Sequence, residues 1–187
     1  MYSAIILSRI DIREHDQRIA FYTRERGLVI AYATGVKKIT SKQSPRLLPG
    51  TLVYVELVER HGRYKFITSE TIRLYPCIRK SLIKNAVVQQ MLGLIFDTLR
   101  PDEPDAALFR FLTRMLAVFE EKDEEDIPLL YVFALWRLMA LFGYNSKHKI
   151  TTDIPRELAA WHAEAEYHLE RAITVPLYLF DTVHVSH

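Results

Sequence analysis

Along the first 75 residues the apolar positions recur with a period near two, the spacing of half-buried strands. Ser3 to Ile10 is rich in Ile and Leu. Ile19 to Thr23 and Leu28 to Thr34 flank the turn Arg24-Glu25-Arg26-Gly27, where Gly27 supplies the positive φ that such a connection often needs. Leu52 to Arg60 alternates, with Leu52, Tyr54, Glu56 and Val58 on one face and Val53, Val55, Leu57 and Glu59 on the other. His61-Gly62 makes a tight connection into a fifth strand, Tyr64 to Thr71. Five short strands in this span match the OB-fold, a partly open five-stranded barrel. An SH3-like barrel fits the strand count almost as well.

From Cys77 onward the period becomes helical. Ser81 to Leu99 carries Leu82, Val88, Met91, Leu92, Ile95 and Phe96, and Pro101 and Pro104 then break the chain. Asp105 is placed to cap a helix whose stripe is Leu108, Phe111, Leu112, Met115, Leu116 and Phe119, spaced by three and four residues. The acidic run Glu120 to Asp126 reads as a solvated helix end. Pro128 stands in the first turn of a third helix, Ile127 to Phe142, whose apolar residues lie on nearly every side. Such a helix is expected to be buried all round, at the centre of a bundle. A fourth helix is expected from Ile154 to about Ala172. The fold class is therefore α+β, with an N-terminal five-stranded OB-fold β-barrel over 1–76 and an all-α helical domain over 77–187.

Charge sharpens this division. Residues 1–85 hold 16 Lys and Arg against 7 Asp and Glu, whereas residues 86–187 hold 9 against 16. The basic half is the candidate for a polyanionic partner. No apolar run is long enough to span a membrane. The apolar stretch Ala4 to Leu7 is too short for a signal peptide. The single cysteine, Cys77, allows neither an internal disulfide nor a thiolate metal cage. A cytoplasmic protein without metal or cofactor is the expectation.

Catalytic signatures are missing. The six glycines form no phosphate-binding loop, no Gly-x-Ser-x-Gly elbow is present, and the seven histidines are scattered. Cys77, at a strand-to-helix junction, reads as a small buried side chain. A non-enzymatic protein is expected. The basic half offers a binding site instead. Between the third and fourth strands, the acid-free segment Gly35 to Arg46 carries Lys37, Lys38, Lys42 and Arg46 beside three hydroxyl residues, a composition suited to phosphates. Arg18, Arg24, Arg26, Arg63 and Lys65 extend the candidate DNA-binding set, with Arg60, Arg73, Arg79, Lys80 and Lys84 adding charge. Tyr22, Tyr32, Tyr54, Tyr64 and Phe66 are interleaved with these cations, at least half of them as barrel core. Single-strand binding uses this pairing, since bases stack on aromatic faces while phosphates meet cations.

The string Glu14-His15-Asp16-Gln17-Arg18-Ile19-Ala20-Phe21-Tyr22-Thr23-Arg24-Glu25-Arg26-Gly27, followed by Ala33-Thr34-Gly35-Val36-Lys37-Lys38, resembles the opening of RecO proteins. Leu47, Leu48 and Pro49 fall where that family has its Leu-x-Pro step. Leu141-Phe142-Gly143-Tyr144, Tyr167-His168-Leu169 and Pro176-Leu177 are similar to its later helices and turns. The resemblance implies an OB-fold with a helical domain and binding to single-stranded and double-stranded DNA. It also implies annealing of complementary strands, contact with the single-strand-binding protein, and cooperation with RecR to load RecA. Annealing has a physical basis: a basic surface that neutralises both strands lowers their repulsion and lets base pairing decide. Two departures stand out. Asn145-Ser146-Lys147-His148-Lys149 replaces the longer, often zinc-binding insertion of many members, and Leu130-Tyr131-Val132-Phe133 stands where members often carry basic residues. Arg110 and Arg114, one turn apart, are the candidates for a groove taking an acidic, apolar-ended peptide such as the tail of the single-strand-binding protein. Pairing with the acids at Glu120 to Asp126 is the competing reading. A protein-interaction module or an RNA-binding OB protein without annealing activity remains the alternative function.

Overall fold

The computed structural model describes residues 1–12, 14, 16–34, 47–144, 163 and 167. Five strands, β1 (Tyr2–Asp11), β2 (Gln17–Thr23), β3 (Gly27–Ala33), β4 (Leu52–Arg60) and β5 (Arg63–Arg73), form a closed barrel in the order β1-β2-β3-β5-β4. β1 pairs with both β2 and β4, and every pairing is antiparallel except β3 with β5. This connectivity is that of the OB-fold and decides against an SH3-like barrel.

Alternation builds the interior. Ala4, Ile6, Ile19, Phe21, Ala31, Ala33, Val53, Val55 and Phe66 point inward with Leu47, and Phe21 stacks on Phe66 with ring centroids 6.2 Å apart. Each buried Ile or Phe contributes about 1.5–3 kcal/mol through removal of apolar surface from water. Small Ala4, Ala31 and Ala33 leave room for the two rings. Register shifts between Ile6 and Ser8 and between Glu56 and Leu57 bend the strands toward closure. The β4–β5 hairpin turns on His61 and Gly62, with φ of 51° and 71°, as the twist-matched two-residue turn requires.

Within residues 76–144 four helices follow: α1 (Pro76–Lys80), α2 (Leu82–Thr98), α3 (Ala106–Glu121) and α4 (Ile127–Leu141), with a 3-10 turn at Glu124–Asp126. Asp105 caps α3 as its side chain allows, Oδ1 accepting from the N–H groups of Ala107 at 2.7 Å and Leu108 at 3.1 Å. By packing, the chain divides into two compact units, Met1–Tyr75 with Leu92–Leu116, and Pro76–Met91 with Ala117–His187. In the first unit Leu28 bridges to Pro101, and the Asp102 N–H donates to the Leu28 carbonyl at 3.1 Å. No helix among the described residues is long and apolar enough to cross a membrane.

Three expectations are corrected. α4 is not buried all round: Phe133 and Trp136 are 43% and 37% exposed, while Ile127, Tyr131, Leu135 and Leu138 are buried. An apolar composition does not reveal which face lacks a cover. Cys77 is exposed, not buried. Glu120 is no solvated end: its carboxylate accepts from the N–H groups of Cys77 and Ile78, both at 3.0 Å, in the first turn of α1. Burial opposes its charge, yet these hydrogen bonds outweigh it and hold the carboxyl below the usual range. The helix expected over Ile154 to Ala172 lies outside the described residues except for Ala163 and Tyr167, both helical.

Candidate nucleic-acid interface

On β2 the inward residues are Ile19 and Phe21, so Arg18, Ala20 and Tyr22 face outward, because strand side chains alternate. Register then aligns outward positions across the barrel. Arg18 pairs with Ile10 on β1 and Tyr32 on β3, Tyr32 pairs with Lys65 on β5, and Lys65 pairs with Val58 on β4. Strands lie about 4.8 Å apart, so Arg18, Tyr32 and Lys65 span roughly 10 Å in one row. Tyr32 is 38% exposed and Ile10 beside Arg18 is also uncovered. The row therefore presents an aromatic surface with a cation on either side.

The other interleaved aromatics serve different ends. Phe66 is core, Tyr64 packs against the core, and Tyr22 is fully buried outside the barrel wall. Tyr54 is exposed but stands opposite Glu70. Of the five, Tyr32 alone is exposed between two cations. The β4–β5 turn adds a second basic element at the barrel rim, where Arg60 pairs with an exposed Arg63.

The remaining expected residues fall into three groups. Lys37, Lys38, Lys42 and Arg46 lie outside the described residues. Arg26 is engaged within the protein: its guanidinium stands 3.3 Å from Asp102 and 4.0 Å from Glu59, and 5.5 Å from the Tyr64 ring centroid. A hydrogen bond with Tyr2, with Tyr64 and Asp102 nearby, raises its pKa. Lys84 is buried, with Nζ donating to the Lys122 carbonyl. Arg24, Arg110 and Arg114 come together around a cleft of about 530 Å³, lined also by Ala106, Phe109 and Thr113. Sequence spacing foresaw that Arg110 and Arg114 share a helix face. Nothing in the sequence signalled Arg24 as their neighbour, because that meeting is a tertiary contact of the β2–β3 turn. The alignment of Arg18 and Tyr32 with Lys65 was equally hidden, since it depends on the parallel β3–β5 register. Among the described residues no cluster of three His, Cys, Asp or Glu could hold a metal ion.

An OB-fold barrel with an uncovered cation–aromatic row is the class that this geometry defines. Family models place the chain more narrowly: "Recombination protein O N terminal" matches residues 1–75 and "Recombination protein O C terminal" matches residues 79–146. The chain belongs to the RecO family. Among similar proteins, "DNA repair protein RecO" of Geobacter metallireducens is 32% identical over 142 residues, covering 76% of this chain and 57% of the relative. The protein of the same name from Pelotomaculum thermopropionicum is 33% identical over 144 residues, covering 75% and 54%. That of a Synechococcus strain is 28% identical over 155 residues, covering 76% and 53%. The chain thus spans little more than half the length of these relatives.

Proposed function

We propose that this chain is a non-enzymatic, DNA-binding recombination mediator of DNA repair, acting in the cytoplasm. Its barrel, within residues 1–76, holds single strands across β2, β3 and β5. The observation that carries this reading is the in-register row Arg18–Tyr32–Lys65 on the outer barrel face. A base stacks on Tyr32 while flanking phosphates meet Arg18 and Lys65. Arg63 at the β4–β5 turn and the cationic segment 35–46 extend the path. The β2–β3 face and the β4–β5 loop are the surfaces that OB-folds commonly use for oligonucleotides. Neutralising the backbone allows complementary strands to approach, which serves annealing and the loading of RecA with RecR and the single-strand-binding protein. None of these steps requires a nucleotide-hydrolysing site.

Fluorescence anisotropy of single-stranded DNA across a salt series tests the reading. Tyr32→Ala is expected to lose about 1–3 kcal/mol of affinity with little change in salt slope, the mark of a stacking contact. Arg18→Gln with Lys65→Gln should flatten the slope by roughly 1.4, about 0.7 for each phosphate contact on a single strand. Unchanged affinity and slope in both variants would remove the row from the interface. RNA competing as well as DNA would overturn the DNA assignment in favour of an RNA-binding module.

A further inference from the structure

The cleft lined by Arg24, Arg110 and Arg114 plays no part in the barrel row, although all belong to one compact unit. No acid among the described residues pairs with any of the three guanidiniums; the ion pairs nearby belong to Arg26. Like charges around one opening repel each other, and an entering anion relieves that repulsion. The one aromatic in the lining is covered. Phe109 is only 9% exposed and packs toward Tyr22 at 6.3 Å between centroids, while the Thr113 hydroxyl donates to the Phe109 carbonyl. A peptide with an apolar end group needs an uncovered apolar pocket to anchor it. A phosphodiester needs only the guanidiniums, whose planar fork matches phosphate oxygens.

Position separates this cleft from the row. Arg24 follows the end of β2 and Arg18 stands near its start, six residues away and hence roughly 20 Å along the strand. The outward residues between them, Ala20 and Tyr22, are buried, as is Leu28, which pairs with Tyr22. The Tyr22 hydroxyl is bound to the Asp105 backbone. A strand seated on Arg18, Tyr32 and Lys65 therefore cannot run along β2 to reach Arg24. We propose that the arginine cleft binds the backbone phosphates of a second nucleic-acid segment while the barrel row holds the first. This inference rests on the barrel reading and deepens it: one chain then presents two strands to each other with both backbones neutralised.

The test uses the full chain and a labelled oligothymidylate of about ten nucleotides, within the size one OB-fold site covers. Wild type should bind two oligonucleotides per chain. Arg110→Gln with Arg114→Gln changes two exposed side chains, so the fold should persist, as circular dichroism would verify. That variant should bind one oligonucleotide per chain, with the lost event carrying a salt slope of about 2, roughly 0.7 for each of the three guanidiniums. Annealing of complementary strands should slow by roughly tenfold or more, the scale of an electrostatic gain in encounter. Arg18→Gln with Lys65→Gln should remove the other event. If only that second variant leaves binding intact, the barrel reading fails while the cleft assignment stands. Wild type binding a single oligonucleotide, or two still bound by Arg110→Gln with Arg114→Gln, would overturn the cleft assignment. So would an acidic peptide ending in Phe that needs both arginines while oligonucleotide stoichiometry stays the same, since the cleft would then be a protein site.

Discussion

Gly27 has two independent reasons to be glycine. Its φ is +69°, and a Cβ there would stand 2.2 Å from the Glu103 carbonyl oxygen. Thr23 closes the same turn, its Oγ1 accepting from the Arg26 N–H at 3.0 Å and donating to the Gly27 carbonyl at 3.1 Å. Gly27→Ala adds left-handed strain to a backbone clash, so a loss of about 2–4 kcal/mol is expected. A urea melt checks it, and an unmoved midpoint would refute the close approach. Tyr22 is the second telling residue. Its hydroxyl donates to the Asp105 carbonyl and accepts from the Asp105 N–H, both at 3.2 Å. Burial pushes its pKa up to about 12. A phenol whose folded pKa is raised contributes stability that is complete below the unfolded value near 10 and is lost as pH climbs to about 12. Tyr22→Phe should cost about 1–3 kcal/mol at neutral pH, because two backbone groups lose their partner. It should also flatten the loss of stability between pH 10 and 12, followed by thermal melts. An equal alkaline slope in both proteins would show that Tyr22 does not govern it.

Glu120 at the end of α3 makes α1 a fixed element and not a frayed turn. A five-residue helix cannot hold itself in water, and the carboxylate satisfies two of its otherwise unpaired N–H groups. Glu120→Ala should destabilise the fold by about 1 kcal/mol at pH 7. The folded pKa lies below the ordinary carboxylate value, so this contribution exists above that value and disappears as pH falls through the lower folded one. The difference between variant and wild type should therefore shrink at pH 3 in parallel urea melts; a constant difference would contradict the charge-assisted bond. These elements also show what could be read in advance. The strands were legible because burial alternates: Val53 and Val55 face in, Tyr54 and Glu56 face out. The α3 start was legible because Asp105 had only one local use. What could not be read was anything set by a distant partner. Glu120 looked like its acidic neighbours until α1 met it, and α4 looked uniformly buried because Phe133 and Trp136 match its covered residues in kind. The site followed the same rule, with its residue types visible in the sequence and their grouping decided by β3–β5 register and the β2–β3 turn.

At the scale of the whole molecule, the separation of charge along the chain is the feature that local structure does not need. Of the 16 cations in residues 1–85, Arg26, Arg73 and Lys84 are among those engaged within the protein. Arg18, Lys65 and Arg63 lie on the barrel's outer row and rim. Four more, Lys37, Lys38, Lys42 and Arg46, follow β3 in a stretch of 12 residues with no acid. Their density exceeds that of the row, so they should dominate the salt dependence of binding even though the segment itself contains no aromatic residue. Changing all four to Gln should weaken single-strand affinity at every sequence tested, because phosphate contacts position a strand without reading it. If each meets one phosphate, the slope of log affinity against log salt should fall by roughly 3, about twice the change expected from Arg18→Gln with Lys65→Gln. Tyr32→Ala in the same background should still cost its stacking energy, since the two effects act through different groups and add. Anisotropy at four or more salt concentrations separates them, slope reporting the cations and intercept the ring. A quadruple variant with the wild-type slope would place the strand on the row alone and leave the cationic segment without a role in binding.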